Sequence, residues 1–546
     1  MMGVIAGRSK IATTYGIVAA SQPLAARAGV QILERGGNAV DAAIAANAVM
    51  GVVEPEMNGI GGDLFAIVYE AKPGELHGLN AGGWAPAGLT PAFLKSRGID
   101  TMPQTGIHSV TVPGAVAGWD AMRTRFGRLP MADLLAPAIF YAQHGFPVSD
   151  IIAARWHAWT PKLQADPSAS DTYLPNGRAP RAGEIFTNRA LAASLRRIAE
   201  HGPAGFYEGP TADAILATSR EHGGAMTARD LTTFEPDWVD LIATTYRGWH
   251  VYELPPNTQG IAALMMLNVM EQFPLGESGF HTAPSLHVMI EAKKLAYADM
   301  LRYVGDPRFG AAPVAAMLSK EHARERAKRI DPKNAAAHVE PSVFAGLTTA
   351  AGGDTIYLSV IDRDGNIVSL IQSIYTGFGS GLVPKDTGFS LQNRGALFTL
   401  EDGHPNALAG RKRPLHTIIP GFMRKGDVRI GFGIMGAWNQ AQAHAQFVAN
   451  IVDYGMDIQQ ALEAGRFTKA TFDGADVAIE ALVPESTRRE LAALGHEITV
   501  MPPRTGTFGS GQAVMSERSG VHDIHYGASE PRHDGAAIPE APPVFL

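Results

Sequence analysis

Gly352-Gly353-Asp354-Thr355-Ile356-Tyr357-Leu358-Ser359-Val360-Ile361-Asp362, followed by Arg363-Asp364-Gly365-Asn366 and then Ile367-Val368-Ser369-Leu370-Ile371-Gln372-Ser373-Ile374, reads as a β-hairpin entered through two glycines. The two arms are β-branched and aromatic with period-two alternation, and Asp364-Gly365 is a turn signal between them. A three-residue loop with Gly365 in the left-handed region sets Thr355 opposite Ser373, so that two hydroxyls share one face. A two-residue turn at Asp364-Gly365 shifts the pairing by one and sends Ser373 to the other face. Threonine and serine are ordinary strand residues, so the pair by itself reads far more readily as packing than as catalysis. The flank Gly352-Gly353-Asp354 adds a second reading, because a cut before Thr355 would expose an amine beside the hydroxyl. An α-amino group titrates near ~8 and can take the hydroxyl proton directly, so one residue would supply both nucleophile and base.

Outward from the hairpin, the N-terminal side is rich in small residues. Gln31 to Met50 reads as one helix through Gly36-Gly37-Asn38 and the alanine-rich stretch after it, and Glu54 to Tyr69 as a glycine-rich turn entering a buried strand. From about Val116 to Val314 helices dominate, with Ala132–Gln143 and Leu286–Tyr303 as clear cases. Glycine, 60 residues in all, sits in pairs inside apolar stretches and not in linkers, which points to close backbone approaches. No repeat of 20 to 50 residues recurs, and the only low-complexity segment is the proline-rich tail Pro539–Pro543.

The chain has 546 residues, 46% of them hydrophobic, with 46 Lys+Arg against 53 Asp+Glu and a formal net charge of −7. That length and composition allow a sizeable core, and the mildly acidic balance without a polybasic run argues against nucleic acid or an anionic membrane as partner. The absence of cysteine excludes a thiol nucleophile, disulfides, iron–sulfur clusters and thiolate zinc sites. The first residues lack the basic and apolar regions of a secretory signal, so a cytoplasmic, soluble protein is expected. The 18 histidines show no ligand spacing: neither His281/His287 nor His416/His444 is a metal pair by sequence, and no metal or organic cofactor is expected. No G-x-S-x-G elbow or phosphate-loop motif occurs. Gly431-Phe432-Gly433-Ile434-Met435-Gly436 is formally G-x-G-x-x-G between a strand-like and a helix-like segment. It reads as a dinucleotide loop, as a strand-to-helix turn, or as a loop whose Gly436 and Ala437 N–H groups face a developing oxyanion.

Assembled in order, these segments resemble the γ-glutamyltransferase family of N-terminal-nucleophile hydrolases. The likeness is carried by Gly36-Gly37-Asn38-Ala39-Val40-Asp41-Ala42-Ala43, Gly59-Ile60-Gly61-Gly62, Val112-Pro113-Gly114, Thr244-Thr245-Tyr246-Arg247-Gly248, Glu253-Leu254-Pro255-Pro256, Gly352-Gly353-Asp354-Thr355 and Gly527-Ala528-Ser529-Glu530-Pro531-Arg532. The resemblance implies an α+β fold, an αββα four-layer sandwich, made as one precursor that cuts itself between Asp354 and Thr355. Residues 1–354 would form a large subunit and 355–546 a small one, intertwined as one catalytic fold. It further implies Thr355 as nucleophile through an acyl-enzyme, Ser373 as the hydroxyl bonded to it, and Gly436 with Ala437 as the oxyanion N–H pair.

Three departures bear on substrate. Gly82 stands where the family carries the arginine for a substrate carboxylate, Leu397 where it carries the aspartate for the α-amine, and His416-Thr417 where it carries paired serines. Each lost charge-assisted bond is worth about 1.5–3 kcal/mol. A hydrolase of a different amide is therefore expected, similar to the oxamate-amidohydrolase and acylase-like branch. Arg394 reads equally as an alternative anchor for an acidic acyl group or as a structural arginine. Trp84 lines the acyl pocket or packs, and His416-Thr417 touch substrate or hold their loop. The alternatives are a glutathione hydrolase or γ-glutamyltransferase with a different clamp, and an uncleaved, non-catalytic binding protein. The partners expected are a small-molecule amide and the chain's own two processed pieces. Whether that αβ unit pairs into a dimer of dimers is left open by the sequence.

Overall fold

The computed structural model describes residues 7–342 and 354–542. Gly352 and Gly353, which precede the expected scissile bond, lie outside the described residues.

The hairpin forms as the three-residue-loop reading requires. Asp362 N–H donates to the Asn366 carbonyl at 3.1 Å, and Gly365, at φ +81°, takes the left-handed position of the loop. Pairing then runs without a break from Ile361↔Ile367 to Ile356↔Gln372. At the open end the register shifts, since Asp354 pairs with Tyr375, so Ser373 and Ile374 together oppose the single Thr355. This is a β-bulge, a local kink that re-aims side chains at a sheet margin.

The hairpin is the centre of one seven-stranded antiparallel sheet, in the order Ala536–Pro539, Ile17–Ala20, Asp354–Ile361, Ile367–Tyr375, Asp63–Glu70, Glu75–Ala81 and Asp237–Val239. A second sheet of seven runs Ile11–Thr13, His522–Ser529, Gly511–Ser519, Val428–Ile434, Gly421–Lys425, Trp249–Glu253 and Ile242–Tyr246. Strand alternation sorts the side chains into layers. Ile356, Leu358 and Val360 join a core with the helices Pro23–Glu34 and Ala39–Val53, while Tyr357, Ile361, Ile367 and Ile371 join Phe65, Phe422 and Val514 between the sheets. The helices Gly260–Met270, Ala283–Tyr303 and Asn439–Val452 cover the far face of the second sheet. The result is the expected αββα sandwich.

Two local readings are corrected and a third, the helix-dominated stretch, gains detail. The helix expected over Gln31–Met50 is two helices, Pro23–Glu34 and Ala39–Val53, because Gly36 sits at φ +89° and Asn38 caps the second one in a reciprocal box with Asp41. The helical stretch Val116–Val314 contains the strands Asp237–Val239, Ile242–Tyr246 and Trp249–Glu253; β-branched and aromatic residues flank a turn with Arg247 and Gly248 at positive φ. The Gly431–Gly436 motif is no dinucleotide loop, since its strand lies antiparallel to both of its neighbours and so opens no βαβ crossover. Its glycines serve sheet packing: a Cβ on Gly433 would lie 2.4 Å from the Tyr357 ring, and one on Gly431 2.8 Å from Ile367. Among the described residues no helix is long and apolar enough to cross a membrane.

Candidate active site

Thr355 is fully buried at the bulge, and its Oγ1 donates to Ser373 Oγ at 3.2 Å. Ser373 Oγ also accepts the Tyr375 N–H at 2.8 Å, so the bulge itself fixes the position of this hydroxyl. The backbone under Ser373 is approached by Gly62, where a Cβ would fall 2.3 Å from the Ser373 carbonyl, and Gly61 lies as close to Ser390. That contact explains the Gly59-Ile60-Gly61-Gly62 motif as a packing requirement on the hydroxyl-bearing strand.

From the facing sheet, the strand Val428–Ile434 ends in a loop that carries Gly436 at φ +132° and Ala437 at φ +55° before the helix Asn439–Val452. Left-handed geometry is unusual for alanine. Neither N–H donates to a backbone acceptor among the described residues, whereas the Ala437 carbonyl is tied down by Gln259 Nε2 at 2.7 Å.

Residues that motif reading missed complete the surroundings. Gln440 Nε2 donates to Thr355 Oγ1 at 3.3 Å, and its Oε1 accepts the Ile419 N–H at 3.1 Å, which fixes the amide orientation. Asp63, paired across the sheet from Ser373, accepts from Gly83 N–H and Gln392 Nε2 through Oδ1, both at 2.7 Å, and bonds His416 Nε2 through Oδ2 at 2.9 Å. The only signal for these in the sequence was adjacency to a motif; their convergence is tertiary.

His416 and Thr417 are both fully buried. Burial, reinforced by the nearby Arg394 charge, pushes His416 down to about 3, so it is a neutral imidazole donating one N–H to Asp63. Arg394 is equally buried and lowered to about 10 by desolvation, against the favourable charge of Asp63, so it remains a cation at neutral pH. Its Nη1 donates to Thr417 Oγ1 at 2.7 Å, and its guanidinium carbon lies 4.4 Å from the Tyr375 ring centroid. Trp84 is in a different setting: its ring packs on Phe234 at 4.8 Å and has Arg308, Arg411 and Arg413 around it. Thr355, Ser373, Arg394, His416, Thr417 and the Gly436-Ala437 loop are thus one connected neighbourhood, and Trp84 belongs to the packing beside it.

The sequence showed no histidine cluster, but the fold makes one away from this neighbourhood, with His287 Nδ1 and His496 Nε2 2.8 Å apart and Glu291 beside them. Glu291 already holds the Lys294 ammonium at 2.6 Å, which compensates its charge.

Two facing antiparallel sheets between helical layers, with a strand-initial hydroxyl at their open end, define a hydrolase of the N-terminal-nucleophile type. The gamma-glutamyltranspeptidase family profile matches residues 25–540, and the chain belongs to that family. It is 36% identical to the glutathione hydrolase-like YwrD proenzyme of Bacillus subtilis, over 96% of this chain and 98% of that one. It is 33% identical to the oxamate amidohydrolase proenzyme of Klebsiella pneumoniae subsp. pneumoniae, over 96% and 98% of the two chains. The cephalosporin acylase structure from Bacillus halodurans superposes with a TM-score of 0.90 at 41% identity, covering 98% of each chain.

Proposed function

We propose that this protein is a self-cleaving amide hydrolase in which Thr355, freed by a cut after Asp354, attacks the carbonyl of a small amide. The contact that carries this reading is Thr355 Oγ1 to Ser373 Oγ, at the one place where the hairpin bulges. In the cut form the new α-amine takes the Oγ1 proton, Oγ1 bonds to the acyl carbon, and the negative charge moves to the carbonyl oxygen. The Gly436 and Ala437 N–H groups are the donors for that oxyanion. Collapse expels the amine, which leaves with the proton carried by the α-ammonium, and water then releases the acid from the Thr355 ester. His416, neutral and fixed by Asp63, and Thr417 shape the acyl side. The names of the relatives as proenzymes and amide-cleaving enzymes support the same scheme. Residues 1–354 and 355–546 are then the two subunits, and the site's departures favour an acyl group other than γ-glutamyl.

The test is intact mass and a denaturing gel of fresh protein beside Thr355→Ala. Two fragments broken between Asp354 and Thr355 in the wild type and one 57.9 kDa chain in the variant are expected. A wild type that stays whole, or a variant that is cut at the same bond, would sink the reading. Equal turnover of a γ-glutamyl anilide and other amides would restore the glutathione-hydrolase alternative.

A further inference from the structure

The Glu253-Leu254-Pro255-Pro256 motif takes no part in the site described above, but the turn that follows it does. Between the strand Trp249–Glu253 and the helix Gly260–Met270 this turn lies beside His416. His416 N–H donates to the Asn257 carbonyl at 2.8 Å, and Gln259 N–H donates back to the His416 carbonyl at 3.0 Å. Gln259 is fully buried, and its side-chain Nε2 donates to two carbonyls, that of Thr417 and, at 2.7 Å, that of Ala437. Carbonyls only accept, so the pair fixes which end of the amide is the nitrogen and uses both of its hydrogens. Among the described residues the Thr417 carbonyl has no other donor. Gln259 thus ties the His416-Thr417 segment to the Gly436-Ala437 loop.

The Ala437 end has the greater consequence. Ala437 stands at φ +55°, a conformation disfavoured for a residue with a Cβ. Such a residue persists only where its surroundings hold it. Its carbonyl accepts from Gln440 N–H at 3.2 Å as well as from Gln259, and the next carbonyl, that of Trp438, accepts from the Tyr297 hydroxyl. Gln440 is also the residue whose side-chain amide reaches Thr355 Oγ1. Gln259 and Tyr297 precede residue 354, whereas the loop, Gln440 and Thr355 follow it, so one expected piece holds the loop of the other.

We propose that Gln259 is a positioning residue for the oxyanion donors: by holding the Ala437 carbonyl it keeps Ala437 left-handed, and so keeps the Gly436 and Ala437 N–H groups on the carbonyl that Thr355 attacks. This rests on the amide-hydrolase reading above. A leucine of similar size leaves the Thr417 carbonyl unpaired and lets Ala437 relax to an ordinary conformation, which turns a donor away.

The experiment compares the wild type with Gln259→Leu, Gln259→Glu, Ala437→Gly and the double variant Gln259→Leu/Ala437→Gly. The probe is p-nitrophenyl acetate: Thr355 Oγ1 bonds to the acetyl carbon, the α-amine takes the Oγ1 proton, and p-nitrophenolate leaves, with the rate read as adduct mass on the piece that begins at Thr355. Gln259→Leu should acylate about 100-fold more slowly at saturation, the low end of the cost of an oxyanion donor, with the half-saturating concentration unchanged because the donors act in the transition state. In the Ala437→Gly background, where the left-handed position carries no Cβ strain, the same substitution should cost about tenfold less. Gln259→Glu gives a pH signature that lost packing would not: its carboxyl donates only when protonated, so its rate relative to the wild type should rise as pH falls from about 8 to about 5. Crystal structures of the wild type and Gln259→Leu read the loop directly, and Ala437 should leave the left-handed region in the variant alone. Melting curves and self-cleavage report whether each variant has folded, and Gln259→Glu carries the test where Gln259→Leu has not. A wild-type rate in Gln259→Leu, an equal loss in both Ala437 backgrounds, a Gln259→Glu ratio flat in pH, or an Ala437 that stays left-handed in Gln259→Leu would overturn the proposal. A wild-type Thr355 that takes up no acetyl group would refute the amide-hydrolase reading instead, and the crystal structures would then decide whether Gln259 holds the loop.

Discussion

Thr355 Oγ1 meets two partners of opposite character, donating to Ser373 and accepting from Gln440. The second contact has a kinetic consequence. In the proposed cycle, water breaking the acyl-enzyme returns the electron pair of the ester bond to Oγ1, where the Gln440 N–H would stabilise it before the α-ammonium delivers its proton. Replacing Gln440 by Leu should slow deacylation by roughly 100-fold, the low end of the cost of losing a donor at a developing charge. Intact mass during turnover should then show an accumulating Thr355 adduct, whereas equal slowing of both half-reactions would point to a purely structural Gln440. Removing Ser373 by Ser373→Ala leaves Thr355 Oγ1 and Tyr375 N–H without their shared partner and should cost both cleavage and turnover. A Ser373→Ala protein that matures at the wild-type rate would contradict that.

At the level of elements, the bulged hairpin and the facing strand are fitted to each other by small residues. Gly433 lets the Tyr357 ring lie against its backbone, so Gly433→Ala should destabilise by about 1–3 kcal/mol, as overpacking of a tight core does, and lower the melting temperature. Gly431→Ala should act the same way through Ile367. Here the sequence was readable in part. The hairpin itself followed from Asp364-Gly365 and its flanking alternation, but a two-residue and a three-residue loop stayed equally open, and the structure has the three-residue one. The G-x-G-x-x-G pattern was ambiguous because glycine is selected both by phosphate loops and by close sheet packing, and only the antiparallel neighbours of its strand separate the two. The single helix expected over Gln31–Met50 failed for a related reason: alanine-rich sequence on both sides of Gly36-Gly37-Asn38 favours helix throughout, and the break depends on one capping box.

Across the whole molecule, both sheets draw strands from either side of residue 354. A cut there leaves two pieces that share two cores, so they should co-elute as one particle in native size exclusion and separate only in denaturant. The pH response of stability follows from buried titratable groups. His416 and His533, both buried, and His496 are each pushed down to about 3 by desolvation, so the unfolded chain binds more protons than the fold between pH 6.5 and about 3. Their contribution is present above pH 6.5 and is lost as pH falls through that window. Glu54 acts in the other direction: burial raises it to about 8, so its contribution is present below pH 4.5 and is lost as pH rises toward 8. His281 and His404, lowered to about 4, act with these three histidines, while Glu253, Asp362, Asp453 and Glu530, raised by burial, act with Glu54; with five histidines the melting temperature should climb from pH 5 to 6.5, and Glu54 should make it fall gently toward pH 8. A monotonic rise through pH 8 would show that Glu54 is ionised in the fold.

The sequence by itself determined the hairpin with its strand-initial threonine and the serine on its partner arm, and, through the family resemblance that its motif order carries, the layered α+β class. Those features are written in local alternation, turn chemistry and motif order. Only the tertiary structure decided that Ser373 reaches Thr355 across a bulge, that Gln440 and Asp63 lie beside them, that Trp84 contacts Phe234, and that Arg394 alone among the buried arginines of the described residues has no carboxylate within ion-pair distance. Burial and pairing depend on residues hundreds of positions apart, so a charge left unpaired in the core is invisible until the chain has folded around it.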